Sequence, residues 1–492
     1  MSDIKRIAKH SINYTLATIL NRAIGFFMIP IYTRFLSPAD YGIILTLIAT
    51  TGLLSSIYQM GQIGAWQRFY YDYKDSKEEL KKYLGTIIVF VFVFGLGCTI
   101  LLLTVGERLF TTIAKDVPFK PYVQITLLTV FLSLFFPFWL RLFQIREKSL
   151  IYSILNFAYF LVSTLLIIFF VVILRYGALG QVKGSFLATL IFFIISILAL
   201  GREIKLHVSF TKLKESLKYG LPLVPHSLAG WTMNLADRLF LGHYRNLSEV
   251  GLYGIGYTLG SIMDMITNSI NLAYIPFFMS TAKDKGDEAK AIFSGLATYY
   301  MMSVLFIAAC LSIFAKEIII VMTAKSFHDA YKIVPIVTFS YVLNGMYFLV
   351  VNPIFYVKTA VRYLPISTFS SAIINLIFNY LLIPRFGQMG AAYATLITFI
   401  MQFILTWFIS YKFYPMSFEY KKILLIFLAI APTLVGGLML NLIDLSFLPC
   451  VFAKLGFVLI YPVLLVLFGV LKWNYLKMVI IRLIWNRKMM LK

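Results

Sequence analysis

The sequence predicts an all-α integral membrane protein with about fourteen transmembrane helices: two parallel six-helix lobes plus two extra helices at the C-terminal end. Three observations predict it. First, 60% of the 492 residues are hydrophobic and 13% are charged, so there is too little polar surface for water to wrap the chain as a globule. Second, apolar runs of about 20 residues, each long enough to cross about 30 Å of hydrocarbon, recur along the whole length. Third, the chain echoes itself. Arg34-Phe-Leu-Ser-Pro-Ala-Asp-Tyr-Gly42 returns, with one residue inserted, as Arg245-Asn-Leu-Ser-Glu-Val-Gly-Leu-Tyr-Gly254, and Arg175-Tyr-Gly-Ala-Leu-Gly180 returns as Arg385-Phe-Gly-Gln-Met-Gly390. Two echoes at nearly one spacing indicate a duplicated unit of about 200 residues, a mark of alternating-access transporters.

The expected spans run 10–34, 42–66, 84–105, 121–143, 150–174 and 182–200 in the first copy. Those of the second copy run 217–241, 252–278, 291–314, 332–354, 364–383 and 389–410, and 422–440 and 450–471 follow. Lipid offers no partner to an unpaired backbone group, and the runs lack the ten-residue alternation of a membrane barrel, so each is read as a helix. The domains expected are a lobe over 1–200, a basic cytoplasmic linker over 201–216, a second lobe over 217–410, the added helices over 411–471 and a basic tail over 472–492. Pro222 and Pro225 should bend or break the helix that starts at 217, beside His226. From Trp473 onward, apolar residues on one face and Lys477, Arg482 and Arg487 elsewhere suggest a helix lying in the membrane interface.

Orientation follows from basic residues. With a cytoplasmic N-terminus, inside segments hold 30 Lys and Arg and outside segments hold 12, so both termini are expected in the cytoplasm. Six crossings return the chain to its starting side, which makes the two copies parallel and their axis a membrane normal. The net charge of +23 is then accounted for by topology and anionic lipid, and it calls for no nucleic-acid partner. Met1–Lys9 is charged and the first apolar run ends at Arg34, so no cleavable signal peptide is expected.

Several function classes are disfavoured. The longest outer connections, 106–120 and 315–331, are too short for a soluble catalytic domain, which argues against a membrane polysaccharide polymerase or ligase. No phosphate-cradling loop and no His/Cys/Asp cluster at ligand spacing is present. Gly254-Ile-Gly256 with Gly260 lies in a span, where small residues allow close helix packing. Cys98, Cys310 and Cys450 lie in or beside spans without the pairing of zinc or redox motifs and read as core residues. No enzyme, metal or cofactor is expected; energy would come from an ion gradient, proton or sodium, or from the substrate's own.

Pro30-Ile-Tyr-Thr-Arg-Phe-Leu-Ser-Pro-Ala-Asp-Tyr-Gly42, Ala65-Trp-Gln-Arg-Phe-Tyr-Tyr71 and Ser248-Glu-Val-Gly-Leu-Tyr-Gly-Ile-Gly-Tyr257 resemble polysaccharide-unit flippases of the Wzx type, in the multidrug/oligosaccharidyl-lipid/polysaccharide exporter superfamily. The resemblance spans the first twelve helices. It implies movement of an undecaprenyl-diphosphate-linked oligosaccharide from the inner to the outer leaflet of a bacterial cytoplasmic membrane, for O-antigen, capsule or exopolysaccharide synthesis. A polysaccharide polymerase and a chain-length regulator are the implied protein partners. Sister alternatives are a lipid II flippase and a cation-coupled multidrug exporter.

Such a substrate needs buried cations for its diphosphate and hydrogen-bonding and aromatic surface for its glycan. Arg22, with Asn21 beside it and Asn13 on the same helix, is the leading candidate for a phosphate or sugar contact, because a charge at mid-membrane is costly unless it faces a bundle interior or water; a structural pairing is the alternative. Arg238 is a second substrate-binding candidate and Asp237 a candidate for ion coupling or charge balance. As neighbours on one helix the two are expected to project toward different partners, with snorkelling of Arg238 to the outer interface or pairing between helices as the structural alternative. Asp264, near the middle of its span, is expected to compensate Arg22 or Arg238 or to bind a coupling proton or sodium ion. Arg68, beside Tyr70 and Tyr71, is either a collector of diphosphate at the inner mouth or a solvated loop charge beside an aromatic belt. Gln59, Gln62, Asn271, Asn344 and Asn375 are candidate hydrogen-bonding lining, or polar links between helices. The echoed Arg34/Arg245 and Arg175/Arg385 fall at helix ends and read as architecture.

Overall fold

A computed structural model describes residues 25–443 and 446–471. Among the described residues, ten helical segments are long and apolar enough to cross a membrane. This number is compatible with fourteen expected spans. The first expected span lies mostly outside the described residues. The eleventh and twelfth run on as one segment, Val361–Phe413, and the seventh and eighth form helices too polar to count. The seventh carries Asp237 and Arg238; the eighth is divided at Ser261 into two helices, which puts Asp264 in the first turn of the second and not at mid-span.

The helices are α1 Ile29–Phe35, α2 Pro38–Gln59, α3 Gln62–Tyr73, α4 Lys77–Ile113, α5 Gln124–Ser133, α6 Phe135–Ile145, α7 Ser149–Ile168, α8 Gly177–Gly201 and α9 Phe210–Gly220. They continue as α10 Leu223–Tyr244, α11 Leu247–Gly260, α12 Ile262–Lys285, α13 Glu288–Ile313, α14 Ala315–Met322, α15 Val334–Tyr356, α16 Leu364–Phe413, α17 Tyr420–Met439 and α18 Phe447–Leu467. Two compact units result. One runs to Ile255 and includes Met322–Phe327 and Thr368–Ala394; the other takes Gly256–Val321, His328–Ser367 and the chain from Thr395.

The echoed motifs meet inside the first unit. Ser37 caps α2: its hydroxyl accepts from the Asp40 backbone N–H at 3.1 Å, and the Asp40 carboxylate accepts from the Ser37 N–H at 3.1 Å, satisfying two otherwise orphaned donors. Asp40 also accepts from the Ala178 N–H at 3.4 Å, just after Gly177, whose φ of +58° favours a residue without a Cβ. The second copy repeats this arrangement. The Asn246 side chain caps α11 by accepting from the Glu249 N–H at 2.9 Å. Glu249 accepts from the Gln388 N–H at 3.0 Å, just after Gly387 with φ +56°. The Arg34 echo and the Arg175 echo are thus two sides of one duplicated contact between a helix cap and a left-handed turn.

The structure also corrects the register of the repeat. Sequence identity aligns Ser37 with Ser248 and Gly42 with Gly254. The capping geometry instead aligns Ser37 with Asn246, Asp40 with Glu249 and Gly42 with Gly251. The two helices cross at these glycines: a Cβ on Gly42 would lie 1.8 Å from the Leu247 carbonyl oxygen, and one on Gly251 would lie 2.0 Å from that of Pro38. Each glycine therefore seats the first turn of the other helix. Gly254 packs against Leu45 in the same crossing.

The connection expected as a loop over 201–216 is partly helical. α9 begins at Phe210 and ends at Gly220, and Pro222 then opens α10 as its capping residue. The prolines break one expected helix into two because Pro222 cannot donate to the turn before it. α9 is held by Ser216, whose buried hydroxyl donates to Gln62 at 2.6 Å and lies 3.3 Å from the Tyr83 hydroxyl, and by Lys212, which binds Glu79. Farther along, Arg146 grips both oxygens of Glu203 at 2.7 Å, and this guanidinium holds the Glu203 carboxyl below its ordinary range. Substituting Gly42 or Gly251 with Val forces a side chain into opposing backbone. We expect a loss of roughly 1–3 kcal/mol, read as a lower unfolding midpoint of the purified protein, with Ala at Gly230, where a Cβ meets nothing, as the neutral control.

Candidate functional site

α10 packs along α2, with the Trp231 indole donating to the Ala49 carbonyl at 2.8 Å. It carries Asp237 and Arg238 into the interior, where both are buried. They do not diverge, as adjacent positions would suggest. Asp237 accepts from both the Arg238 backbone N–H at 2.9 Å and its guanidinium at 2.7 Å. The long Arg238 side chain curls back along its own helix, donating to the Asn234 carbonyl and lying 5.5 Å over the Tyr253 ring. The Tyr253 hydroxyl donates to the other Asp237 oxygen. A buried cation and anion thus balance each other within one helix turn, beside tyrosine.

A polar seam runs between α12 and α15 in the second unit. Asp264, Asn268 and Asn271 share one face of α12 at helical spacing. The Asn268 amide donates to Asp264 at 2.6 Å, Asn344 of α15 donates to Asp264 at 3.4 Å, and Asn352 donates to Asn271 at 2.9 Å. The Tyr257 hydroxyl of α11 and the Tyr341 hydroxyl of α15 meet at 2.6 Å. Next to the seam is a cavity of about 300 Å³ lined by Thr267, Asn271, Tyr274, Tyr299, Tyr300 and Phe348, among others. The cavity presents mainly aromatic faces; the Tyr274 and Tyr300 hydroxyls are packed away inside the protein, with no partner among the described residues.

The remaining predicted residues fall as follows. Asn13, Asn21 and Arg22, in the first expected span, lie outside the described residues. Arg68 is on α3, half-exposed, and paired at 2.5 Å with Asp72 one turn on, so its charge is already partly answered. Gln59 is the last residue of α2. Gln62 is fully buried and holds α9. Asn375 accepts from Asn379 at 2.8 Å inside α16, His226 is exposed in the first turn of α10, and the three cysteines are free thiols. The structure brings together Asp237 with Arg238, and Asp264 with Asn344. Among the described residues no group of His, Cys, Asp and Glu could hold a metal ion.

Sequence reasoning missed Lys454. It is completely buried in α18 and donates to both oxygens of Glu317, at 2.6 and 2.7 Å, and to Asn441 at 2.7 Å. A lysine four residues into an apolar run is the available signal, but its nearness to the end of the span makes it read as a loop charge.

The profile of the family described as polysaccharide biosynthesis protein matches residues 7–282, more than half of the chain. The chain belongs to the polysaccharide biosynthesis protein family. This bears out the resemblance to polysaccharide flippases. Among curated relatives, the Lsg locus putative protein 1 of Haemophilus influenzae is 22% identical over 367 residues, which are 71% of this chain and 85% of that protein. The probable low-salt glycan biosynthesis flippase Agl15 of Haloferax volcanii is 22% identical over 219 residues, 44% of this chain and 46% of that protein. Among solved structures, the lipid II flippase MurJ in an inward closed conformation superposes with a TM-score of 0.74 at 16% identity, covering 92% of this chain and 98% of that one. An inward-facing multidrug resistance MATE family transporter superposes with a TM-score of 0.59 at 14% identity, covering 78% and 93%. The family member described here therefore has the fold of that exporter superfamily.

Removing one partner of the buried Lys454–Glu317 pair leaves an uncompensated charge. Lys454→Met and Glu317→Gln are each expected to cost roughly 3–5 kcal/mol. The double change Lys454→Met with Glu317→Leu should recover most of that loss, as read from thermal unfolding in detergent.

Proposed function

We propose that the protein is a flippase that moves an undecaprenyl-diphosphate-linked oligosaccharide from the inner to the outer leaflet of a bacterial cytoplasmic membrane, for surface polysaccharide synthesis. It performs no chemistry on the glycan. The observation that carries this reading is the seam of Asp264, Asn268, Asn271, Asn344 and Asn352 beside an aromatic cavity that Asn271 also lines. Amide and carboxylate groups at membrane depth are costly unless they find polar partners, and here they stand beside aromatic faces. They suit a neutral sugar, which stacks on rings and hydrogen-bonds at its edges. Family membership and the flippase names of two similar proteins support the same reading.

In the mechanism proposed, both termini are cytoplasmic and the two sequence repeats rock about an axis along the membrane normal. The glycine crossing of α2 and α11 then lies on the outer side and closes it. Arg22, with Asn21, holds the diphosphate; Arg68 and Arg238 are secondary contacts for it, each already paired with an acid. Asp264 balances charge or carries a coupling proton or sodium ion, with Asp237 as the second candidate. A polymerase and a chain-length regulator would receive the exported unit.

Deleting the gene should abolish surface polysaccharide and cause lipid-linked repeat units to accumulate on the cytoplasmic side. Wild-type protein should restore export, Arg22→Ala should not, and Asp264→Asn should retain normal protein levels while reducing export at least roughly tenfold, the factor set by about 1.4 kcal/mol. Normal surface polysaccharide without accumulation would refute the reading, and resistance to cationic drugs on overexpression would favour an exporter instead.

A further inference from the structure

Between α4 and α8 lies a laterally open cleft of about 380 Å³, lined by Ile88, Val89, Phe92, Phe193, Ile197 and Leu206, among others. Both helices are long and apolar enough to cross a membrane. The floor is aromatic: Phe92 meets Phe131 of α5 at 5.4 Å between ring centres, and Phe193 meets Phe135 of α6 at 5.3 Å. One end is shut by the connection from α8 to α9, which crosses to α4. There the Lys205 N–H donates to the Lys81 carbonyl at 3.0 Å, the Lys205 carbonyl occupies the place where Gly85 has no Cβ, and Thr86 donates to the His207 carbonyl at 2.9 Å.

The charges at this closed end are unequally matched. Glu203 is taken by Arg146, and Glu78 binds Lys205 at 3.1 Å. Arg202 is exposed and has no carboxylate partner among the described residues, and the Lys81 ammonium donates to the Arg202 carbonyl at 3.0 Å. Leu206 and Phe210 stand out from the same connection, 81% and 82% exposed. Apolar side chains this exposed beside cations, at the end of two spans, describe a surface that meets lipid headgroups and the first carbons of their chains.

We propose that this cleft holds an anionic diacyl phospholipid from the leaflet on the linker's side, one acyl chain lying on the aromatic floor and the phosphate at Arg202 and Lys81. Hydrocarbon fills an apolar space that water wets poorly. A net negative headgroup answers two cations that a zwitterionic one answers less well. The site concerns a resident lipid and does not depend on what the protein transports.

The test is native mass spectrometry of the purified full-length protein equilibrated with equal amounts of dioleoylphosphatidylglycerol and dioleoylphosphatidylcholine. Wild-type protein should retain phosphatidylglycerol roughly tenfold over phosphatidylcholine, from two cations near the headgroup. Arg202→Ala with Lys81→Ala should lose the preference, and Ile197→Trp should lose both lipids by filling the cleft. Elution profile and unfolding midpoint identify a misfolded variant, and Arg202→Gln alone, expected to reduce the preference several-fold, then serves in its place. An unchanged preference in the charge variants, or wild-type retention in Ile197→Trp, would overturn the proposal. So would displacement of phosphatidylglycerol by inorganic phosphate, or one-for-one by undecaprenyl phosphate.

Discussion

The crossing of α2 and α11 is the constraint on which the first unit depends. Two helices can approach until the first turn of each touches the other only if neither has a Cβ at the contact, and Gly42 and Gly251 meet that condition symmetrically. Each helix is fixed at its start by a cap and tied by an acid, Asp40 or Glu249, to a left-handed glycine turn elsewhere in the unit. At the two glycines the contact is made by backbone. Around it Leu247 joins Leu47, Phe110 and Phe119 in one buried cluster, and Leu45 packs against Gly254.

Elsewhere the fold gives its buried charges specific partners. Asp237 with Arg238, and Lys454 with Glu317, are closed pairs whose members answer each other. Pairs of this kind are costly to break from one side and contribute little net stability when whole. Asp264 also draws hydrogen bonds from neutral amides of α12 and α15, which stabilise a carboxylate without cancelling its charge.

Much of this is legible in the sequence. Helix type, membrane character and duplication follow from composition, run length and the echoes, because lipid leaves a chain few alternatives. The register of the echo is not legible: Ser248 matches Ser37 in identity, whereas the residue that performs its task is Asn246, since Ser and Asn cap helices about equally well. Sequence spacing misplaces the Asp237–Arg238 pair because it describes where Cβ atoms point, and a long arginine can turn back to its own helix. Lys454 is invisible as a buried charge because its partner lies 137 positions away in sequence. The aromatic cavity is likewise out of reach, since 45 Phe and 31 Tyr give no sign of which few gather at one place.

In the proposed cycle the glycine crossing closes one side of the membrane and separates during transport. The direct measurement is the distance between spin labels at Arg34→Cys and Ser248→Cys, near the starts of α2 and α11, by electron–electron double resonance. It uses reconstituted protein in which Cys98, Cys310 and Cys450 are replaced by Ser. Adding a lipid-linked oligosaccharide should shift part of a single short-distance population to a longer one. A short distance that stays unchanged with substrate and with an imposed ion gradient, in protein that still transports, would contradict the account.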